Sequence, residues 1–284
     1  MDRGSFPIMI GGVGGSGTRL FAEALHVSGI RTTLDVNGAT DAMGCTLLYK
    51  RPSVLEDLES PDVFGRLWNI TESGVVGGRP IDRDDRLLMK RLAREARPMH
   101  DRSWLKTRAR RLRREASRPR RPGRWFLKEP NLHWVAPRIL ELDSDIRFVM
   151  AVRHGIDMAF SSNQQQLYVW GPTVLGETDL EPTPEASLRY WCHVHRRIAD
   201  FRELHPERVL ILSFDQFCVE PDVVARRLLD FSEIEATDAL LDRVIRGVRA
   251  PSSIGRHLDE DLSQFDPGDM EFVHSFMSTI KVHR

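Results

Sequence analysis

Apolar positions along the chain fall into two alternating patterns. Short continuous runs read as buried strands, and stripes near a 3.6-residue period read as helices. The first run, Ile8-Met9-Ile10, leads into a glycine-rich turn and then a helix beginning near Ser16. "GIRTTLDV" (29–36) has the β-branched content of a second strand ending at Asp35. From Asp41 to Asn69 the pattern is loose. "RDDRLLMKRLAREA" is helical, and in the segment after it Leu105, Ala109, Leu112 and Ala116 form one narrow stripe, which "RPRRPG" ends. "RWFLKEP" (124–130) reads as a strand stopped by Pro130, and "NLHWVAPRILEL" as a helix. "IRFVMAV" (146–152) has the unbroken apolar character of a central strand and delivers Arg153 at its carboxyl end. A helix over Asp157–Gln165, a loop from Trp170 to Pro184, a helix from Glu185 to Leu204, the strand "RVLILSFDQF" and the helix "PDVVARRLLDFSEI" complete the series. Such alternation predicts an α/β fold, a central parallel sheet flanked by helices. The tail has no strong period, and there is no internal repeat.

The chain has 284 residues, enough for a full core, and we expect one domain over 1–284. No apolar run approaches the roughly 18 residues of a membrane span. Asp2 and Arg3 lead straight into the first strand, so a secretory leader is not expected. Cys45, Cys192 and Cys218 share no ligand spacing; they read as reduced thiols, with no metal, in a cytoplasmic protein. The net charge of zero conceals an asymmetry. Eleven of the 41 basic residues and one of the 41 acidic ones, Glu115, lie between Arg102 and Arg124, leaving 30 and 40 elsewhere. This helical segment, part of an insertion over about 83–122, concentrates positive charge.

The glycine-rich turn admits two phosphate-binding readings. Gly12 to Gly17 spells G-x-G-x-x-G, and Asp35, eighteen residues past Gly17, stands where an acid would meet a ribose. The same glycines nearly form a P-loop, but Thr18-Arg19 replaces its Lys-Ser/Thr. Either way, glycines let the backbone approach an anion at a helix N-terminus. The second half of the chain decides between them. Lys128 and Arg153 each follow a strand, and Ser161 falls eight residues after Arg153. A strand-end arginine with a nearby hydroxyl makes a second anion site on the sheet rim. A ligand with two separated anionic groups fits a nucleotide phosphorylated on its ribose as well as at its 5′ end.

This pattern resembles the PAPS-dependent sulfotransferases, whose fold is a P-loop-like sheet architecture. "GGSGTR" (Gly14, Gly15, Ser16, Gly17, Thr18, Arg19) is similar to the family's 5′-phosphosulfate loop. "RHGIDMAFS", through Arg153 and Ser161, is similar to its 3′-phosphate motif. Lys128 in "KEP" resembles the family's lysine, and "SSIGRH" its C-terminal loop, which would bring Gly255 and Arg256 to the 3′-phosphate. The resemblance covers residues 8 to 262 except about 45–122, where acceptor specificity is expected. It implies transfer of a sulfuryl group from PAPS to a hydroxyl or amine of a small-molecule or glycan-type acceptor, leaving PAP and requiring no metal.

Two departures bear on mechanism. Gly15 stands where the family has Lys or Arg, so Arg19 or Lys128 would neutralise the leaving oxygen. Pro130 stands where some members carry a catalytic histidine, so Asp35 is the first choice of base, followed by Asp41 and His133. An anionic acceptor or a mobile lid ranks above nucleic acid as the meaning of the basic segment, because aromatics near it are confined to Trp104 and Trp125. A dinucleotide oxidoreductase and a non-enzymatic basic interaction module are the alternatives.

Overall fold

A computed structural model describes residues 6–57, 60–97, 99–121 and 123–282. Asp2, Arg3 and Pro122 lie outside these described residues. Four strands, β1 (Pro7–Gly11), β2 (Trp125–Lys128), β3 (Arg147–Val152) and β4 (Val209–Ser213), form a parallel sheet in the order β2-β1-β3-β4. In β1, Pro7, Ile8, Met9 and Ile10 pair with Trp125, Phe126, Leu127 and Lys128 of β2. Nearly every strand residue is buried, which is why these segments read as continuous apolar runs rather than alternating ones.

The helices are, in chain order, α1 (Thr18–Val27), α2 (Met43–Tyr49), α3 (Pro52–Glu56), α4 (Pro61–Val76), α5 (Arg83–Leu92), α6 (Arg102–Ala116) and α7 (Leu132–Leu142). They continue with α8 (Gly155–Ala159), α9 (Gln165–Leu175), α10 (Pro184–Leu204), α11 (Phe214–Val219), α12 (Pro221–Phe231), α13 (Asp238–Ile245) and α14 (Pro267–Thr279). The chain clusters into two compact units: residues up to Ile10 with Gly29–Phe148, and Gly11–Ser28 with Val149 onward.

In the first unit, α6 seats Leu112 in close-packed contact. A Cβ at Gly74 or Gly44 would lie 2.6 or 2.9 Å from Leu112 Cδ2, so two glycines make room for one leucine. Trp68 stacks on Trp125 at 5.7 Å. In the second unit, α10 contributes Trp191, whose ring lies against Gly155 of α8 and stacks with His195 at 3.8 Å.

Three local expectations need correction. The segment 29–36 is not a strand: Arg31 makes a single parallel bridge to Trp125, and beyond it the backbone turns through Asn37–Asp41 to a bridge between Val36 and Ala42. Asn37 Oδ1 accepts from the amides of Ala39 and Asp41, a local turn that competes with strand pairing. The helix expected over 157–165 ends at Ala159. Gln164 Nε2 reaches back to the carbonyls of Met158, Ala159 and Ser161, satisfying groups that a continuing helix would have used. Ser161 therefore lies on a loop, not a helix. The loop expected from Trp170 is helical to Leu175 despite Pro172, because Leu167 and Trp170 are buried on one side of α9.

Candidate functional site

The second unit builds a phosphate-type turn. Helix α1 begins at Thr18 behind Gly17, which takes the left-handed conformation (φ 77°) and offers no capping side chain. No acidic residue occupies the first turn, so the free N–H groups and the positive end of the helix dipole go uncompensated. Ser16 is buried, and its Oγ has no hydrogen-bond partner among the described residues. A Cβ at Gly12 would sit 2.4 Å from that Oγ and 2.5 Å from the Ala151 carbonyl oxygen, so the chain can turn here only as glycine. Gly15 is also left-handed (φ 94°), with Met158 Cε 3.3 Å from where its Cβ would be. A lysine or arginine there would be strained, which gives a physical reason for the departure at this position. From the far side, Gln166 Nε2 donates to the Gly12 carbonyl at 3.2 Å. Arg19 points outward, paired with Glu23 at 2.7 Å and largely exposed.

A second basic centre follows β3 in the same unit. Arg153 is buried and donates from Nη2 to Ser253 Oγ at 2.7 Å; its Nε lies 3.9 Å from Asp215 Oδ1, too long for a hydrogen bond. Burial pushes the Arg153 guanidinium below its ordinary value, partly offset by Asp215. Ser253 belongs to a loop held by one carboxylate. Asp157 Oδ2 accepts from the Gly255 amide (2.7 Å), and its Oδ1 from the His257 amide (3.1 Å) and lies 2.6 Å from His257 Nδ1. Burial opposes the Asp157 charge, but these bonds outweigh it and hold the carboxyl below its ordinary range. Gly255 is left-handed (φ 78°), and Arg256 donates to the carbonyls of Ser253 and Phe160. The His257 ring stacks on His154, centroids 4.6 Å apart, and ligand-type atoms of His154, Asp157 and His257 gather within 4.8 Å. His154 is pushed down to about 4, by burial first and the neighbouring His257 second. The structure thus brings Arg153, Gly255 and Arg256 together, and Ser161 follows Phe160, whose carbonyl accepts from Arg256; the Ser161 Oγ accepts from the Asn163 amide.

The first unit holds the remaining candidates. Lys128 is buried at the end of β2, with Nζ 2.5 Å from Asp41 Oδ1 and 2.8 Å from the Ala39 carbonyl oxygen. Thr40 between them takes a positive φ of 65°, a strained conformation for a β-branched residue. Asp35 is buried, and its Oδ1 accepts from both Arg108 and Arg111 of α6 at 2.5 Å. Its Oδ2 has no hydrogen-bond partner among the described residues. His133 is buried, with Nδ1 2.8 Å from the Pro130 carbonyl oxygen. Beside Lys128, Glu129 is buried and accepts from the Asn131 amide and side chain at 2.7 Å; burial is the largest influence and raises its carboxyl.

Comparison with known proteins supplies the deciding observation. The model of the "Sulfotransferase family" matches residues 7–238, most of the chain. The chain belongs to the sulfotransferase family. No curated protein sequence matches it. Among solved structures, this sulfotransferase is similar to STF9 from Mycobacterium avium (15% identity, 98% of this chain and 78% of that one, TM-score 0.48). It is also similar to the sulfotransferase domain of the curacin biosynthetic pathway (13%, 97% and 98%, 0.48). A third likeness is to a retinol dehydratase solved with androsterone and inactive cofactor PAP (16%, 96% and 80%, 0.45). These scores are too low to carry argument beyond the family match.

Sequence reasoning missed several groups in this sulfotransferase. Asp157 stands four residues after Arg153 yet acts on a loop about 100 positions away, a pairing that spacing cannot show. Ser253 lies inside the quoted "SSIGRH", but nothing local says that its hydroxyl meets Arg153. Phe214, against which Gly17 packs, is an ordinary aromatic after a strand. Among the described residues, no helix is long and apolar enough to cross a membrane.

Proposed function

We propose that this sulfotransferase uses PAPS, moving its sulfuryl group in line to a hydroxyl or amine of a small-molecule or glycan-type acceptor. The supporting observation is that one compact unit contains two distinct anion-type centres: the Gly14–Arg19 turn at the α1 N-terminus and the Arg153 centre with its Gly255–Arg256 loop. A 5′-phosphosulfate suits the first, where the orphaned Ser16 Oγ and the free N–H groups await an acceptor of hydrogen bonds. A ribose 3′-phosphate suits the second, where Arg153, Ser161 and Arg256 would bind it.

PAPS supplies an activated sulfuryl group: the acceptor oxygen or nitrogen bonds to sulfur as the sulfur–oxygen bond to the 5′-phosphate breaks. The residues then divide the work. The turn amides of Gly15 to Thr18 hold the phosphate oxygens, and Lys128 and Arg19 stabilise the charge that the leaving phosphate gains. Arg19 would give up an exposed ion pair worth only about 0.3–0.5 kcal/mol. Asp35 takes the acceptor's proton at Oδ2, the oxygen that its two arginines leave unengaged. The same arginine pair argues against Asp35 as a ribose ligand and so against a dinucleotide enzyme. The insertion over 83–122 shapes the acceptor side. Three free thiols fit a reducing, cytoplasmic setting.

Calorimetric titration with PAP, NAD⁺ and ATP–Mg²⁺ tests the reading. PAP should bind, and Arg153→Ala should weaken it about 10- to 100-fold, the loss of a charge-assisted contact. Silence toward PAP with clear NAD⁺ binding would refute it.

A further inference from the structure

A cleft of about 350 Å³ opens between α5 and α6 in the first unit. Its α5 side carries Arg86, Lys90 and Arg94; its α6 side carries Arg102, Lys106, Arg110 and Arg113. Small or apolar side chains, Met89, Ala93 and Ala109, form the floor, and no carboxylate lines it. None of the seven cations has an ion-pair partner among the described residues. Elsewhere the same segment pairs its arginines closely: Arg108 and Arg111 hold Asp35, and Arg114, Arg118 and Arg121 surround the buried Glu115. The segment's one acid is thus used inward, and the cleft's cations are left with no counter-charge.

Spacing narrows the choice of partner. Cations stand four residues apart at 86 and 90 of α5 and at 102, 106 and 110 of α6, about 6 Å per step along the axis, and Arg94 follows in the turn just past α5. Helices pack at about 8–10 Å, so the trough between two of them, floored by alanines, is the seat of a third. A helix with acidic residues at i, i+4 on both flanks of a small apolar stripe repeats the same 6 Å step. Single-stranded nucleic acid would need aromatic platforms, and the cleft lining has none. A bilayer is flat and cannot enter a trough.

We propose that the α5–α6 cleft is a docking site for an acidic amphipathic helix of a partner protein. The assignment is separate from the donor site, since it rests on the first unit alone.

The test uses the full chain and a fluorescein-labelled helical peptide of about 18 residues, with glutamate rows at i, i+4 flanking an Ala/Leu stripe. A scrambled peptide of the same composition is the control. Competitors are a heparin-derived tetrasaccharide, a short single-stranded DNA and phosphatidylserine vesicles. In about 0.1 M NaCl, anisotropy should show the ordered peptide binding at least about tenfold tighter than the scrambled one, weakening as salt rises. The triple variant Lys90→Glu/Lys106→Glu/Arg110→Glu should lose about tenfold or more, from several modest exposed pairs acting together. Its gentler counterpart with glutamine at the three positions should lose less, and PAP binding and melting temperature should hold in both. Equal or absent binding of the two peptides, tighter binding of any competitor, or full retention of affinity by the glutamate variant would overturn the proposal. Loss of PAP binding in the wild type would instead strike the donor reading alone.

Discussion

Arg153 and the cations of the α5–α6 cleft have the same chemistry in opposite settings. Arg153 is buried at a strand end, aimed by Ser253 and faced by Asp215, so few of its degrees of freedom remain to be lost on binding. The cleft cations are mostly exposed, spaced by helix geometry and unpaired among the described residues. Preorganised charge suits one small anion in one pose. A repeated, solvated row suits an extended partner whose charges repeat at the same interval, at the cost of sensitivity to salt. The contrast teaches that a count of arginines says little; what each faces decides its use.

The contrast breaks hardest at Gly17. Its Cβ would come 2.0 Å from Phe214 Cδ2, and its φ of 77° is a strained conformation for any branched residue. Gly17→Val combines overpacking with backbone strain, roughly 2–6 kcal/mol in all. We expect a large fall in melting temperature and loss of PAP binding. Adding Phe214→Ala removes the clash and leaves the strain, so it should restore part of the stability and little of the binding. Full recovery would mean that the clash with Phe214, and not backbone conformation, limits substitution at this turn.

The architecture was largely legible, and the reasons are physical. Ile8–Ile10, Phe148–Val152 and Val209–Leu212 are buried on both faces, and a continuous apolar run is the direct signature of that setting. The strand-end placement of Lys128 and Arg153 follows from the same runs. What stayed hidden depends on long-range contact. Helix α2 is short and α4 is interrupted by glycines, and both are fixed by packing on α6 rather than by their own period. Asp35 looked like the end of a strand; it sits at a turn that two arginines more than 70 residues away neutralise. Helix α8 ends because Gln164, not a glycine or proline, takes its carbonyls.

A smaller effect should follow from loosening the support of Arg153 rather than removing it. Asp157→Asn keeps one oxygen, enough for the Gly255 or the His257 amide but not both, and loses the charge that makes those bonds strong. PAP affinity should fall about three- to fivefold, less than for Arg153→Ala, while the acidic peptide binds the cleft as before. A loss as large as that of Arg153→Ala would mean that Asp157 acts on the ligand itself and not through the loop.

The smallest effect distinguishes the two regions by pH. The cleft carries only lysine and arginine, whose charge is constant in mildly acidic solution. The Arg153 centre carries His154, which the fold pushes down to about 4, by burial first and by His257 next. A histidine with a lowered folded value leaves stability untouched above its ordinary pKa near 6.5. Below that the unfolded chain binds the proton first, so stability falls until about pH 4. His100, likewise pushed to about 4 by burial and then by Lys50, Arg51 and Arg97, adds a second such proton. The Asp157 carboxyl, held below its ordinary range, loses its contribution only at still lower pH and does not confuse the window. The Glu129 and Asp215 carboxyls, both raised by burial, act in the opposite sense, so the His154 effect is read as a difference. In urea unfolding at steps from pH 7 to 4.5, His154→Asn should lose less stability to acid than the wild type, by up to about one proton in slope. An unchanged slope in that variant would show that His154 is not held neutral by its surroundings, and the stacked pair with His257 would need another account.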